Sequence, residues 1–430
     1  MSTFRTVRGM RDFLPVDAEK LRYVEQVARE LAVLYGYGEI LTPVVESYEL
    51  LSAKSGEEIR QRMYVFTDLG GRKVALRPEF TASVARLVAT KLRNAPKPLR
   101  LFSVGSLYRY DEPQYGRFRE FWQANYELMG SDQPEADAEI LTITNHLLKR
   151  LGLSNYYFKI GHVGILRGIL SQEGIIEDQQ NHVMQMLDKK QWEEALATVR
   201  QLGASQQCLT TLKEIFETRG QATFSILKKT EKIVRNYERG GDAVRNLRQI
   251  LTLATRGGKF ETLIEPGFAR GLEYYTGMIF EAYVPELETA LGGGGRYDRL
   301  IELFEGEHTP AVGIAPGIDR IVLAMKKQKA RFKTPEEKRA VVIPVNAEMK
   351  VDAFEIASML REAMIPTDIE ATGRTVSKAL SDANRRSVTY AILVGPEELK
   401  ERKIVLRNLK TRTQETLDVS ELIEKLEATK

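Results

Sequence analysis

A single cysteine, Cys208, stands in the 430 residues, which excludes an intramolecular disulfide and any multi-cysteine zinc site. Histidine is scarce as well. His146, His162, His182 and His308 are scattered without metal-ligand spacing, so no structural metal is expected. No apolar run is long enough to span a bilayer. The opening MSTFRTVRGMRDFLP lacks the apolar core of a signal peptide, and a cytoplasmic location with no membrane partner is expected. Neither charge sign dominates: 63 basic against 59 acidic residues leave a net +4, which permits a nucleic-acid partner without arguing for one. What remains is an ordinary soluble α/β composition, 43% hydrophobic and 28% charged, in a chain long enough for roughly two to four domains.

The hydrophobic pattern divides the chain. Leu21, Val24, Val27, Ala28, Leu31 and Leu34 recur three and four apart, which predicts an amphipathic helix over 16–36, ended by Gly36–Gly38. Residues 39–43 read as a strand, placed at an edge or interface because Pro43 has no N–H for a ladder. From 63 to 130 the pattern is β-rich, with Gly70-Gly71 as a hairpin signal and a helix near 80–94. Long strands joined this way predict an antiparallel sheet rather than βαβ units. A helix is expected over 135–151 and a helical insertion over about 165–255. Strands at 261–284, a glycine-rich turn at 292–295 and a helix from about Gly317 follow. The charged stretch 326–339 is the clearest boundary; beyond it strands and helices alternate, as in a small mixed α/β domain. The expected domains are 1–330 and 331–430, and the fold class is α+β.

Three segments carry chemistry. They are Tyr108-Arg109-Tyr110-Asp111-Glu112-Pro113 with Gly116-Arg117-Phe118-Arg119-Glu120-Phe121-Trp122-Gln123, then Arg270-Gly271-Leu272-Glu273-Tyr274-Tyr275-Thr276-Gly277, then Gly292–Gly295 with Arg296-Tyr297-Asp298, running on to Gly317-Ile318-Asp319-Arg320. Singly, each has an ordinary explanation: solvated ion pairs on a strand, a tyrosine pair split between core and surface, a tight turn. The tetraglycine lacks the Lys-Ser/Thr of a P-loop.

Taken together and in order, the segments resemble the three motifs of class II aminoacyl-tRNA synthetases, and RGLEYYTG resembles the signature of the histidine-specific family. Val7-Arg8-Gly9-Met10-Arg11-Asp12-Phe13-Leu14-Pro15 looks like the opening of that family, and the last domain is similar to the anticodon-binding domain of the histidine, threonine, proline and glycine enzymes. The resemblance spans essentially the whole chain. It implies a class II catalytic domain on an antiparallel sheet with a helical insertion, then a mixed α/β anticodon-binding domain. The implied activity is formation of histidyl-adenylate from L-histidine and ATP, then transfer to tRNA(His).

Residue by residue, the resemblance implies that Arg109 holds the α-phosphate, with bidentate guanidinium geometry suited to it. Arg320 is expected on the triphosphate tail and over adenine, with Phe121 on the other face. Arg270 bridges the histidine carboxylate and the α-phosphate and is, with Arg109, the catalytic expectation. Arg77-Pro78-Glu79-Phe80-Thr81 resembles a family loop in which Glu79 and Thr81 bind the α-ammonium. Gln123 sits near the ammonium and carboxylate, Glu127 and Tyr275 pair with the imidazole, and Tyr274 packs beside them. Mg²⁺ is expected on phosphates and carboxylates, with no dedicated protein ligand set. Arg117 and Arg119 are candidates for the tRNA acceptor end; Arg374, Lys378, Arg385 and Arg386 are candidates for the anticodon stem and loop. A homodimer is implied, with residues 37–50 in its interface. Glu273 departs from the commoner Asp, which leaves open how Arg270 is oriented. The alternative is the synthetase-like, histidine-binding regulatory subunit of ATP phosphoribosyltransferase, which lacks an anticodon domain; the presence of 339–430 and of all three arginines argues against it.

Overall fold

The computed structural model describes residues 4–53, 56–114, 116–333 and 339–427. Two compact units emerge, Met1–Lys333 and Thr334–Lys430, and part of the charged stretch 326–339 lies outside the described residues.

The strands of the first unit are β1 (Gly38–Glu39), β2 (Val45–Ser47), β3 (Val65–Thr67), β4 (Lys73–Leu76), β5 (Leu99–Tyr108), β6 (Glu120–Met129), β7 (Tyr157–His162), β8 (Glu261–Ile264), β9 (Met278–Tyr283), β10 (Gly292–Arg296) and β11 (Ala311–Pro316). Eight form one sheet in the order β1-β5-β6-β11-β10-β9-β7-β8. Its six central strands are antiparallel, and β1 and β8 add in parallel at the two edges. The β5–β6 pair runs in register for ten residues, from Leu99↔Met129 to Tyr108↔Glu120. The expected strand over 39–43 pairs only through Gly38–Glu39, at an edge, and the chain leaves the sheet before Pro43.

Side chains alternate across a strand, so β6 serves two layers at once. Ala124, Tyr126 and Leu128 are buried with the helices Pro15–Leu34 and Pro134–Arg150, and the Tyr126 hydroxyl donates to the Ala28 carbonyl at 2.8 Å. Gln123, Asn125 and Glu127 face the other way, into a cleft. In the first helix Leu21, Val24, Val27, Ala28 and Leu31 are buried as the spacing predicts, whereas Leu34 is exposed where the helix ends.

The Gly70-Gly71 hairpin joins β3 to β4, with Asp68 accepting from the Gly70 and Arg72 amides at 2.9 Å each; β2 completes this small sheet. The helical insertion comprises six helices from Val163 to Gly257, with buried Val183, Val199, Leu212, Leu227 and Leu247.

Two expectations need correcting. Gly292–Gly295 is not a turn but most of β10, near the middle of the sheet, and all four glycines are extended. Composition suggests a turn because glycine favours turns, but here neighbouring atoms occupy the space of every Cβ: one on Gly294 would lie 2.1 Å from the Gly313 carbonyl. Likewise Tyr274 and Tyr275 do not alternate on a strand. They precede β9 in irregular backbone, and both are buried.

In the second unit, β12 (Ala340–Pro344), β13 (Thr367–Ile369), β14 (Tyr390–Val394), β15 (Lys403–Asn408) and β16 (Thr413–Asp418) form a five-stranded sheet in the order β13-β12-β14-β15-β16. The first three are mutually parallel and the last two form the charged hairpin. Helices Lys350–Glu362 and Val376–Arg385 bury Ile356 and Leu360 in one core and Ala379 and Ala383 in another. Among the described residues no helix is long and apolar enough to cross a membrane.

Candidate active site

The cleft opens on the sheet face formed by β6, β9, β10 and β11, and all three chemistry-bearing segments converge on it. Glu79, Thr81, Arg109, Arg117, Phe121, Gln123, Glu127, Arg270, Tyr274, Tyr275 and Arg320 all line its wall.

A bare floor is what the glycines supply. Across the sheet Glu127 stands opposite Gly313, and Gly313 opposite Gly295. A Cβ on Gly313 would fall 1.7 Å from the Glu127 Oε2 atom, so only glycine lets that carboxylate lie over the neighbouring strand. One pleat further, Gly293 stands opposite Glu281, and a Cβ there would lie 2.6 Å from the Arg270 guanidinium. Arg270 therefore lies across β10, with Nε 3.4 Å from Glu281 and Nη1 donating to the Tyr275 hydroxyl at 3.0 Å.

Glu127 is fully enclosed. Its Oε1 accepts from the Thr81 hydroxyl at 2.8 Å and from the Asn125 amide at 3.0 Å, and its Oε2 accepts from the Tyr297 hydroxyl. Burial raises its pKa to about 7 despite these three donors. Glu79 is also buried, and burial lifts its pKa against the opposing pull of Arg109, Tyr274 and Arg270; Tyr274 donates to it at 3.3 Å. Two carboxylates with elevated pKa in a cleft of guanidinium groups mark a site built to receive a charged, polar ligand.

Arg109 and Arg320 are anchored through backbone carbonyls rather than carboxylates. Arg109 Nε donates to the Pro78 carbonyl at 2.9 Å, and its guanidinium lies 5.3 Å from the Phe121 ring centroid. Arg320 donates to the carbonyls of Ala290 at 2.8 Å and Gly116 at 3.3 Å. Burial, with the nearby charges of Arg109 and Arg117, lowers its pKa to about 10, so it stays cationic at neutral pH. Burial pulls Arg270 down, but Tyr275, Glu281, Tyr274 and Asp188 raise it further, so it is held charged.

Not every expected residue lies in the cleft. Arg119 is buried outside it: its Nε donates to the Asp111 carbonyl at 3.0 Å and its guanidinium covers the Tyr110 ring at 3.7 Å. It braces the loop that carries Arg117. Glu273 faces away from Arg270, accepting from Gln185 at 3.1 Å with Arg60 3.7 Å away, so the carboxylate pairing with Arg270 is Glu281 instead. In the second unit, Arg374 and Arg386 pair with Asp382 at 2.9 Å each, and Arg385 pairs with it at 3.2 Å; Lys378 stands on the same helix.

Four residues of the site were given no role by the sequence, two of them (Tyr297 and Asp319) within the quoted motifs. Asn125 was legible in principle, since it shares the i, i+2 face of Gln123 and Glu127. Tyr297 closes the tetraglycine segment, and Asp319 accepts from the Trp122 amide at 2.6 Å and from Arg11. Glu281 carries no sequence signal, because only the β9–β10 register brings it beside Arg270.

The family model for histidyl-tRNA synthetase matches residues 9–321, and that for an anticodon-binding domain matches residues 339–429. The histidine–tRNA ligase of Methanocaldococcus jannaschii is 40% identical over 97% of this chain and 98% of its own length. That of Saccharolobus solfataricus is 38% identical over the whole of both chains. Among solved structures, the apo histidyl-tRNA synthetase of S. aureus is similar at TM-score 0.69 and 26% identity, covering 98% of this chain and 99% of its own. A Bacillus halodurans protein described as an ATP phosphoribosyltransferase regulatory subunit/histidyl-tRNA synthetase gives TM-score 0.77 and 27% identity, over 91% of this chain and 98% of its own. With the three motifs gathered round one cleft, and with a family model matching well over half its length, the chain belongs to the histidyl-tRNA synthetase family.

Proposed function

We propose that the chain is a histidine–tRNA ligase that activates L-histidine with ATP and transfers it to the 3′ end of tRNA(His). The observation that carries this reading is the convergence of Arg109, Arg270 and Arg320 with Glu79 and Glu127 in a single cleft. Adenylation brings a carboxylate onto the α-phosphate of ATP, two anions that repel one another. Neutralising charge and aligning the attack are therefore the main tasks. In this reading a carboxylate oxygen of histidine attacks the α-phosphorus, the bond to the β-phosphate oxygen breaks, and pyrophosphate leaves. Arg270 bridges the carboxylate and the α-phosphate, Arg109 holds the α-phosphate, and Arg320 and Phe121 hold the rest of the nucleotide. A ribose hydroxyl at the tRNA end then attacks the carbonyl carbon, and AMP leaves.

Glu79, Thr81 and Gln123 take the α-ammonium. Glu127 and Tyr275 take the imidazole, beside Tyr274. A site with these polar groups buried rejects amino acids that leave them unpaired, by about 10⁴–10⁵ without an editing domain. Mg²⁺ arrives with the phosphates. Among the described residues no three acidic, histidine or cysteine side chains gather to hold a metal, and the acidic side chains lining the cleft with Arg109, Arg270 and Arg320 include Asp111, Glu281 and Asp319. Arg117 faces the acceptor end of tRNA, and the second unit takes the anticodon arm. The site of action is the cytoplasm.

We also propose a homodimer. Leu41, Val44, Val45, Val65, Phe66 and Leu69 are exposed on and beside the small β2–β4–β3 sheet, an apolar surface of the kind a two-fold contact covers. Phe66→Glu with Leu69→Glu is expected to shift the chain toward monomer in sedimentation velocity. A monomeric wild type would remove the proposal.

The deciding experiment is ATP–pyrophosphate exchange across the twenty amino acids, with wild type and Arg270→Ala. Exchange with histidine alone, nearly lost in the variant, is expected. Histidine binding without any exchange would favour the regulatory-subunit reading instead.

A further inference from the structure

The helical insertion packs against the segment that carries Arg270. The helix Glu177–Asp188 ends against that segment, and the adenylation reading gives its terminal side chains no role. We infer that Asp188, with Gln185, is a positioning residue for Arg270, so that the placement of the insertion sets the geometry of adenylation. The inference rests on the adenylation reading above.

The contacts are specific. The Asp188 carboxylate lies directly against Gly271, the residue next to Arg270. A Cβ on Gly271 would lie 2.8 Å from Asp188 Oδ2, so a side chain at 271 would displace that carboxylate. Two residues on, Gln185 Nε2 donates to Glu273 Oε1 at 3.1 Å. The opposite side is closed too: Gly56, at φ +73°, brings its backbone so near that a Cβ would fall 2.4 Å from the Gly271 carbonyl. Arg60 meets Glu273 at 3.7 Å on that side. The backbone of 271–273 is thus clamped between the insertion helix and the 56–60 segment.

Downstream of the clamp, Arg270 has little else to aim it. It rests on the bare backbone of Gly293, held by Tyr275 at 3.0 Å and Glu281 at 3.4 Å. A small shift of the 271 amide rotates the guanidinium away from both. Asp188 is solvent-exposed, which screens its attraction to Arg270 and leaves its packing against Gly271 as the contact that fixes the backbone. His162, buried outside the cleft, is satisfied by Asn246 at 3.2 Å.

The test compares steady-state kinetics of histidine-dependent exchange in the full-length wild type, Asp188→Ala, Asp188→Asn and Val199→Ala. Asp188→Ala is expected to lower kcat about tenfold with KM for histidine and ATP changed less than about twofold, because misalignment costs the transition state more than the ground state. Asp188→Asn keeps the size of the side chain and an oxygen against Gly271, and retains most of the rate. Val199→Ala, in the buried core of the insertion, lowers the melting temperature and leaves kcat unchanged below it. In an Arg270→Lys background Asp188→Ala should add no further loss. Unchanged kcat in Asp188→Ala, an equal loss in Val199→Ala, or full additivity with Arg270→Lys would overturn the inference alone. A wild type without histidine-dependent exchange would overturn it together with the adenylation reading.

Discussion

Glu127 concentrates the site's chemistry in one side chain. Its carboxyl is raised from 4.5 to about 7 by burial, so between those pH values the native state keeps a proton that the unfolded chain has released. The stability this gives is complete below pH 4.5 and is lost as pH rises toward 7, by up to about 3 kcal/mol. Glu127→Gln is accordingly expected to flatten the dependence of melting temperature on pH across that window, measured by calorimetry. Gly313 tests the same carboxylate from beneath. Gly313→Ala puts a methyl group where Glu127 Oε2 now lies, and histidine binding should weaken about 10- to 100-fold in titration calorimetry. The family resemblance points to Glu127, but only the register opposes it to Gly313 across two strands.

Strands and helices are where the sheet's two faces become different things. On β6, Ala124, Tyr126 and Leu128 are buried with the helices while Gln123, Asn125 and Glu127 face the cleft. Strand β10 is tied to the helix Pro134–Arg150 by Arg296, whose Nε donates to both Asp137 oxygens at 3.1 and 3.0 Å in a nearly solvent-free pocket. Asp137→Ala leaves that guanidinium with one carboxylate, Asp298, and is expected to cost about 3–5 kcal/mol, read as a lowered denaturant midpoint. The periodic helices were plain in the sequence because their buried stripe repeats every three or four residues. The glycine strand was not, because a strand without side chains has no alternation to detect.

At the scale of the whole molecule, the two units each bury their own hydrophobic clusters. Ile356, Leu360, Ile392, Ile404 and Leu406 form a closed core within the second unit. Residues 339–430 expressed alone are therefore expected to melt as one cooperative transition by circular dichroism, without catalysing exchange. Loss of cooperativity in that fragment would mean that its core is completed by the first unit. The insertion differs: its helices share the main core of the first unit, packing against β7 and the sheet's helical layer. It is continuous with the catalytic body and not a separable module.

By itself, the sequence determined the family, the order of the parts and a set of charged and aromatic residues that the fold gathers round one cleft. Those are properties of local pattern: charge type, spacing along the chain, and periodicity set by the pleat and the helical turn. The tertiary structure decided which carboxylate partners Arg270, that Arg119 braces a loop, and that the tetraglycine is a strand rather than a turn. It also decided that the insertion touches the Arg270 segment through Asp188. Each of these depends on which strands become neighbours and in what register. Pairing of that kind joins residues far apart in the chain, so no local pattern encodes it.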